Sequence, residues 1–307
     1  RRDLVRLSHQ LARTVIAAQR RRLHGRARRI TIDLDPTDDP THGQQELSFF
    51  NGHYDTACYL PIVATVTFND EPAQYAVAAV LRPGNAPATR GARGLLRRLL
   101  AKLRAAFRGA TYRVRLDGGF AHPKLFQFLE QQQVEYVVAM ASNRRLEKRA
   151  RRLMGKARMQ SKATGQTAHL YGETRYAARS WKRKRRVIIK AEVVRHPGRD
   201  PKNNPRFVVT NLPDAPEALY TFYCGRGDVE NRLKELHHGL ELDRTRLPAL
   251  PGQPVPGVVD AGGVRPVPGP AAPGGGHGLR RCASHDAARA GAQAGRVGRA
   301  LGAADRV

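Results

Sequence analysis

An α/β fold, a mixed sheet flanked by helices, is what the hydrophobic pattern of this chain predicts. Three observations carry that reading. Short runs rich in β-branched and aromatic residues recur between polar turns. Leucine-rich stretches at helical spacing alternate with them. The 307 residues, 41% of them hydrophobic, suffice for a sizeable core.

The elements follow in order. Residues 3–22 place Leu4, Leu7, Leu11, Val15 and Ile16 at amphipathic helical spacing and end in three arginines. Three strand-like runs come next, RITIDLD (29–35), YLPIVATVTF (59–68) and YAVAAVLR (75–82), parted by polar turns such as NDEP (69–72). A helix is predicted at 94–107, where Leu95, Leu96, Leu99, Leu100, Leu103 and Phe107 share a face. A strand at 111–116 follows, then a helix with Pro123 in its first turn, then a strand at 135–141. Three strands, helix, strand, helix, strand is the order of a ribonuclease-H-like sheet. That fold sets an acid on its first strand beside an acid on its fourth, here Asp35 and Asp117.

Beyond 143 the pattern changes. Residues 141–190 hold 17 Lys or Arg against Glu147 and Glu173, with Trp181, Tyr171 and Tyr176 interleaved. A run this one-sided repels itself without an anionic partner, so Trp181, Arg185 and Arg186 are candidates for DNA contact; a buried core role for Trp181 stands beside that reading. Strands at 185–194 and 206–212 make this stretch a mainly β insertion. The divisions expected are a remnant N-terminal helix (1–28), the first part of a core (29–143), the basic β-rich insertion (144–214), the returning core helix (215–246) and a disordered or out-of-frame tail (247–307). In 248–307 about a third of residues are Gly or Pro, and Lys, Glu, Ile, Phe, Tyr and Trp are absent. Read one nucleotide over, permissible codons for 248–270 encode an amphipathic helix, which makes a frameshift the sharper reading. The opening RRDLVRLSHQ, without Met, reads as the interior of something longer.

Charge narrows the partner. Lys and Arg outnumber Asp and Glu 54 to 26, a formal net charge of +28. That balance points to nucleic acid or an anionic surface. No apolar run approaches a membrane span and no signal peptide is visible, so nucleic acid is the partner expected and a reducing cytosol the compartment. Cys58, Cys224 and Cys282 are scattered and odd in number, supporting neither a disulfide framework nor a zinc site.

Against that basic background stand three acids. Asp35 closes an apolar strand, Asp117 precedes Gly118-Gly119, and Glu230 lies in YCGRGDVENRLKEL (223–236). Phosphodiester cleavage needs reactants held in line while charge builds on phosphate oxygens. Carboxylates holding hard divalent ions supply this, so two Mg²⁺ ions, or Mn²⁺, are the cofactors expected on Asp35, Asp117 and Glu230. Each acid also has an ordinary reading. Asp35 sits among turn formers, Asp117 can end a strand, and Glu230 can complement a helix dipole or pair with Lys234. Asp33, two residues earlier on the same strand face, competes with Asp35.

The stretches LDPTDDPTHGQQELSFFNGHYDTACYLPI (34–62), LRPGN (81–85), VRLDGGF (114–120), NPRFVVTNL (204–212) and YCGRGDVENRLKEL (223–236) together resemble bacterial insertion-sequence DDE transposases, the insertion-sequence thirteen-eighty family most closely. The resemblance runs from about residue 28 to 246. It implies a ribonuclease-H-like core interrupted by a mainly β insertion before the Glu. Mg²⁺-dependent cleavage and strand transfer at terminal inverted repeats of double-stranded DNA, by a homo-oligomer in a synaptic complex in the bacterial cytoplasm and associated with the nucleoid, are also what the resemblance implies. Asp35, Asp117 and Glu230 would be the triad; Tyr223 and Arg226 would match residues that hold DNA near the scissile phosphate. A Lys expected seven residues after the Glu is His237 here. Relatives are longer at the N-terminus and continue after the Glu helix with an apolar helical segment, so weak or absent transposition is expected of this copy. A stand-alone nuclease of the same fold and a non-catalytic basic DNA-binding protein are the competing readings.

Overall fold

The computed structural model describes residues 2–43 and 45–227. Glu230, His237 and the tail from 247 therefore lie outside the described residues. In chain order the elements are α1 (Arg2–Arg22), β1 (Arg29–Pro36), β2 (Asp39–Pro40), β3 (Phe49–Asn51), β4 (Thr56–Tyr59), β5 (Ile62–Phe68), β6 (Gln74–Val80) and α2 (Ala92–Ala106). They continue with β7 (Thr111–Leu116), α3 (Pro123–Gln131), β8 (Glu135–Met140), α4 (Arg144–Thr164), β9 (Ala168–Tyr176), β10 (Arg185–Val194), β11 (Lys202–Asn203), β12 (Arg206–Thr210) and α5 (Pro216–Cys224).

A large mixed sheet organises the molecule. One half runs β6-β5-β1-β7-β8, with β5 antiparallel to β1 while β1, β7 and β8 are mutually parallel. This is the ribonuclease-H-like order predicted from the sequence. β12 then pairs antiparallel with β8, β10 with β12, and β9 with β10. β11 continues the register of β12 along the same edge of β10 (Ile189 opposite Phe207, Val193 opposite Asn203). Residues 144–214 thus form a helix and four strands that extend the same sheet.

Two local differences from the sequence reading have simple causes. The expected strand at 59–68 is divided at Leu60-Pro61, because Pro61 offers no N–H to a ladder. Its first part, β4, joins β2 and β3 in a small second sheet; its second part, β5, enters the main one. The second difference is α4, a 21-residue helix in a stretch read as mainly β. Asn143 caps it, accepting from the Arg145 and Leu146 amides at 3.1 Å, and Gly165 ends it at a φ of 69°.

The core fills one face of the sheet. Ile30, Ile32 and Leu34 of β1 and Val114 and Leu116 of β7 project there to meet the leucine stripe of α2, Leu125, Phe126, Phe128 and Leu129 of α3, and Leu146, Ala150, Met154 and Ala157 of α4. α1 adds Ala12 and Ile16, and Ser8 Oγ donates to the Ala79 carbonyl of β6 at 2.7 Å. The other face holds a smaller apolar cluster, Leu219, Tyr220 and Tyr223 of α5 against Val137, Ile188 and Val208. None of the described helices is long and apolar enough to cross a membrane.

Candidate functional site

Side chains alternate across a strand, so β1 turns Thr31, Asp33 and Asp35 to the α5 side while its apolar residues face the core. β7 does the same with Arg113, Arg115 and Asp117. The parallel register sets Asp33 beside Arg115 and Leu34 beside Leu116. Asp35 and Asp117 come one step further, at neighbouring strand ends about 4.8 Å apart. Both are 5% exposed. Asp117 is held by its own turn, accepting from the Gly119 amide at 2.8 Å. Gly119 is needed there: a Cβ would lie 2.8 Å from the Ala88 Cβ and 3.1 Å from Asp117 Oδ1.

Asp33 and Asp35, left as competitors by the sequence, are differently employed. Asp33 is fully buried and takes a bidentate pair from Arg115, Nε to Oδ1 at 2.8 Å and Nη2 to Oδ2 at 2.9 Å. The remaining Arg115 nitrogen, Nη1, donates to the Phe222 carbonyl of α5 at 3.2 Å, and the guanidinium lies 5.0 Å from the Phe222 ring centroid. A Cβ on Gly225 would run into Arg115 Nη1, so glycine permits this approach. Asp35 instead accepts from Arg226 Nη1 at 3.1 Å, a pair whose side chains are 7% and 4% exposed. Two Arg–Asp pairs therefore tie the end of α5 to the two strand ends that carry Asp35 and Asp117.

Arg82, within the LRPGN stretch, is a third buried cation near the site. Its Nε donates to the Leu60 carbonyl at 2.7 Å and its Nη1 to those of Pro87 and Ala88 at 3.0 and 3.1 Å. Burial pulls its pKa down to about 10, against the opposing effects of Tyr54 and Asp117. Neither Arg82 nor Arg115 was singled out from sequence. The signal available was an arginine inside an otherwise apolar strand end, which has to find a buried partner.

The residues named for DNA contact are scattered. Tyr223 (5% exposed) packs beside Tyr220, ring centroids 5.9 Å apart, on the α5 cluster. Trp181 is 8% exposed and packs edge-on to Phe126 and Tyr176 at 5.2 and 5.7 Å, the surroundings of a core residue. Arg185 lies over Trp181 and grips Glu130 with Nε and Nη2 at 2.8 and 3.0 Å. Arg186 pairs with Glu173 and donates to the Leu212 carbonyl at 2.6 Å. The structure brings Asp35, Asp117, Arg226 and Tyr223 to one region and leaves Trp181, Arg185 and Arg186 elsewhere, on protein partners.

Among the described residues no three His, Cys, Asp or Glu side chains form a group able to hold a metal ion. Asp35 and Asp117 alone supply two hard oxygen donors on one face. That donor set fits Mg²⁺, which is commonly bound through one or two carboxylates plus waters and substrate phosphates.

No curated protein matches this sequence. Among solved structures, the piggyBac transposase synaptic complex with hairpin DNA is similar at 12% identity and a TM-score of 0.41, over 76% of this chain and 45% of that one. This chain thus spans less than half the length of that protein. The family described as transposase DDE domain group 1 matches residues 1–251, most of the sequence. The chain belongs to that DDE transposase family, whose members cut and transfer DNA and generally use divalent metal ions.

Proposed function

We propose that this protein is a transposase catalysing Mg²⁺-dependent cleavage and strand transfer at insertion-sequence terminal inverted repeats, of the insertion-sequence thirteen-eighty kind. The observation that carries the reading is the parallel register of β1 and β7, Leu34 opposite Leu116, which leaves Asp35 and Asp117 at adjoining strand ends in a sheet of ribonuclease-H order. Family membership supports it.

In this mechanism Asp35 and Asp117 would hold the divalent ions, with Glu230 as the third acid. Bound there, the ions would activate the attacking oxygen and offset charge on the leaving one. The protein's part is positioning. Arg226 fixes the Asp35 carboxylate, and the Gly119 amide fixes that of Asp117. Arg115 binds Asp33 and the carbonyl end of α5 together, so the segment bearing Tyr223 and Arg226 keeps its place over the strand ends. Arg226 is thereby a positioning residue for Asp35, and it remains near enough to the acids to meet a DNA phosphate. Trp181 and Arg185 serve the packing of the extended sheet.

The test is a labelled duplex carrying the inverted repeats that flank the gene, incubated with the protein and Mg²⁺. Transposition requires nicking at the repeat end and joining of the released 3′-hydroxyl to a second DNA. Hydrolysis without joining would make the protein a nuclease of the same fold. Binding with neither step, under Mg²⁺ or Mn²⁺, would leave it a non-catalytic copy.

A further inference from the structure

The most one-sided surface of the described molecule lies outside the site just described. α4 holds nine Arg or Lys and one acid, Glu147. All nine cations are exposed. The helix gives its other side to the core through Leu146, Ala150, Met154, Ala157 and Ser161. At 100° per residue the buried positions occupy less than one third of the circumference, and the cations fill the remaining solvent side. Arg145, Arg149, Arg152 and Lys156 form one continuous line along it. Glu147 is engaged by Ser142, whose Oγ donates to it at 2.7 Å. Among the described residues, Arg149 is the one cation of the line that donates a side-chain hydrogen bond, to Thr174 Oγ1 at 2.9 Å. The nearest acid on β9, Glu173, points to the opposite face of the sheet and is bound by Arg186.

Position gives this surface a direction. β8 runs parallel to β7, so its C-terminal end lies at the same end of the sheet as Asp117; the Gly118 Cβ position is 3.9 Å from the Ala139 carbonyl and the Ala141 amide. α4 begins at Arg144, a few residues beyond. It then extends over β9 and β10, where Leu153 packs on Gly172. Twenty-one helical residues span about 31 Å, the length of about nine base pairs at roughly 1.7 Å of axis per duplex charge. The cation line thus starts beside the acid-bearing strand ends and leads away from them. A self-repelling array of this density on one helix needs an anionic ligand of matching length and regular charge spacing.

We propose that the exposed face of α4 is a phosphate track for double-stranded DNA flanking the cleavage site. The proposal rests on the transposase reading for the ligand at the acids, but its test does not. The track is independent of base sequence, because Arg and Lys on a helix side reach phosphates, and it supplies affinity and orientation rather than chemistry. It also locates the DNA contact of the basic stretch on α4, ahead of Trp181, Arg185 and Arg186, which have protein partners.

The experiment compares the wild type with the triple variant Arg145→Gln/Arg152→Gln/Lys156→Gln and a charge-matched control, Arg20→Gln/Arg21→Gln/Arg26→Gln. Binding to a labelled duplex of arbitrary sequence is followed by anisotropy across salt concentrations, with divalent ions absent. Each lost phosphate contact removes about 0.9 from the slope of log K against log salt, so the α4 variant should lose about 2.7 and bind on the order of 100-fold more weakly near 0.15 M salt. The control should lose clearly less. Unaltered thermal melting of the α4 variant shows that the fold is intact, since all three positions are exposed. An unchanged slope, or equal losses in both variants, overturns the proposal. Because no cleavage is measured, failure here leaves the transposase reading standing. Conversely, loss of cleavage assays to an inactive copy leaves this binding result intact.

Discussion

The two faces of the central sheet are built on different principles. Under α1 to α4, β1 and β7 turn an apolar face, where Ile30, Ile32, Leu34, Phe107 and Phe126 are fully enclosed. Under α5, the same strands present Thr31, Asp33, Asp35, Arg115 and Asp117, all buried, beside only a small apolar cluster. Burying charge is costly unless each group is paired, and here it is: Asp33 with Arg115, Asp35 with Arg226. One face stabilises the sheet by displacing water from hydrocarbon. The other gives up that gain and holds charged groups at fixed places. The lesson is that the polar face of a two-sided strand marks where chemistry is carried, while the apolar face keeps it rigid.

Breaking that division should give effects of graded size. The largest is on activity. Asp117→Asn keeps the turn acceptor but removes a charge from the pair proposed to hold the metal, so cleavage should fall by about 10³-fold or more, equivalent to several kcal/mol of transition-state stabilisation. Duplex binding should be retained, and single-turnover cleavage beside an anisotropy titration reads both. Next in size is the ionic clamp beneath the site. Arg115→Leu leaves Asp33 buried without its partner, which costs about 3–5 kcal/mol. Pairing it with Asp33→Leu should recover much of that loss in urea unfolding while misplacing α5, so stability returns and cleavage does not.

The smallest effect expected is a pH dependence far from the acids. Burial pushes Glu130 up, but the hydrogen bonds from Arg185, Arg183 and Tyr136, with the Arg185 charge, outweigh it and hold the carboxyl below its ordinary value. A carboxylate depressed in the folded state adds stability above its unfolded pKa of about 4.3, and that stability is lost as pH falls through the folded value. Glu130→Gln should therefore flatten the acid limb of melting temperature against pH, with little change in cleavage at neutral pH.

Much of this architecture could be read in the sequence because single strands announce themselves. RITIDLD and YRVRLD alternate apolar and polar residues and close on an acid, and a five-strand order with two intervening helices implies that their ends adjoin. α4 was hidden for a physical reason. Its buried stripe is Leu146, Ala150, Met154, Ala157 and Ser161, too small and too mixed to register as periodic hydrophobicity among nine cations. Pro61 divided a strand that β-propensity alone ran together. The Asp33–Arg115 pair joins positions 82 apart in sequence, so no local pattern could assign Asp33 to structure and leave Asp35 at the strand end. Trp181 looked like a stacking platform because it stood among cations; the residues that enclose it, Phe126 and Tyr176, come from distant segments.

The central claim divides β1 into a structural acid and a chemical one, and the most direct measurement compares Asp33→Asn with Asp35→Asn. Mg²⁺-dependent single-turnover cleavage is measured for each and scaled by the folded fraction from urea unfolding. The predicted result is that Asp35→Asn, which weakens a single hydrogen bond from Arg226, abolishes cleavage even in its folded fraction. Asp33→Asn should instead lose stability, by up to about 3–5 kcal/mol, and keep cleavage in its folded fraction. Full cleavage by folded Asp35→Asn, with loss of cleavage in folded Asp33→Asn, would contradict the account.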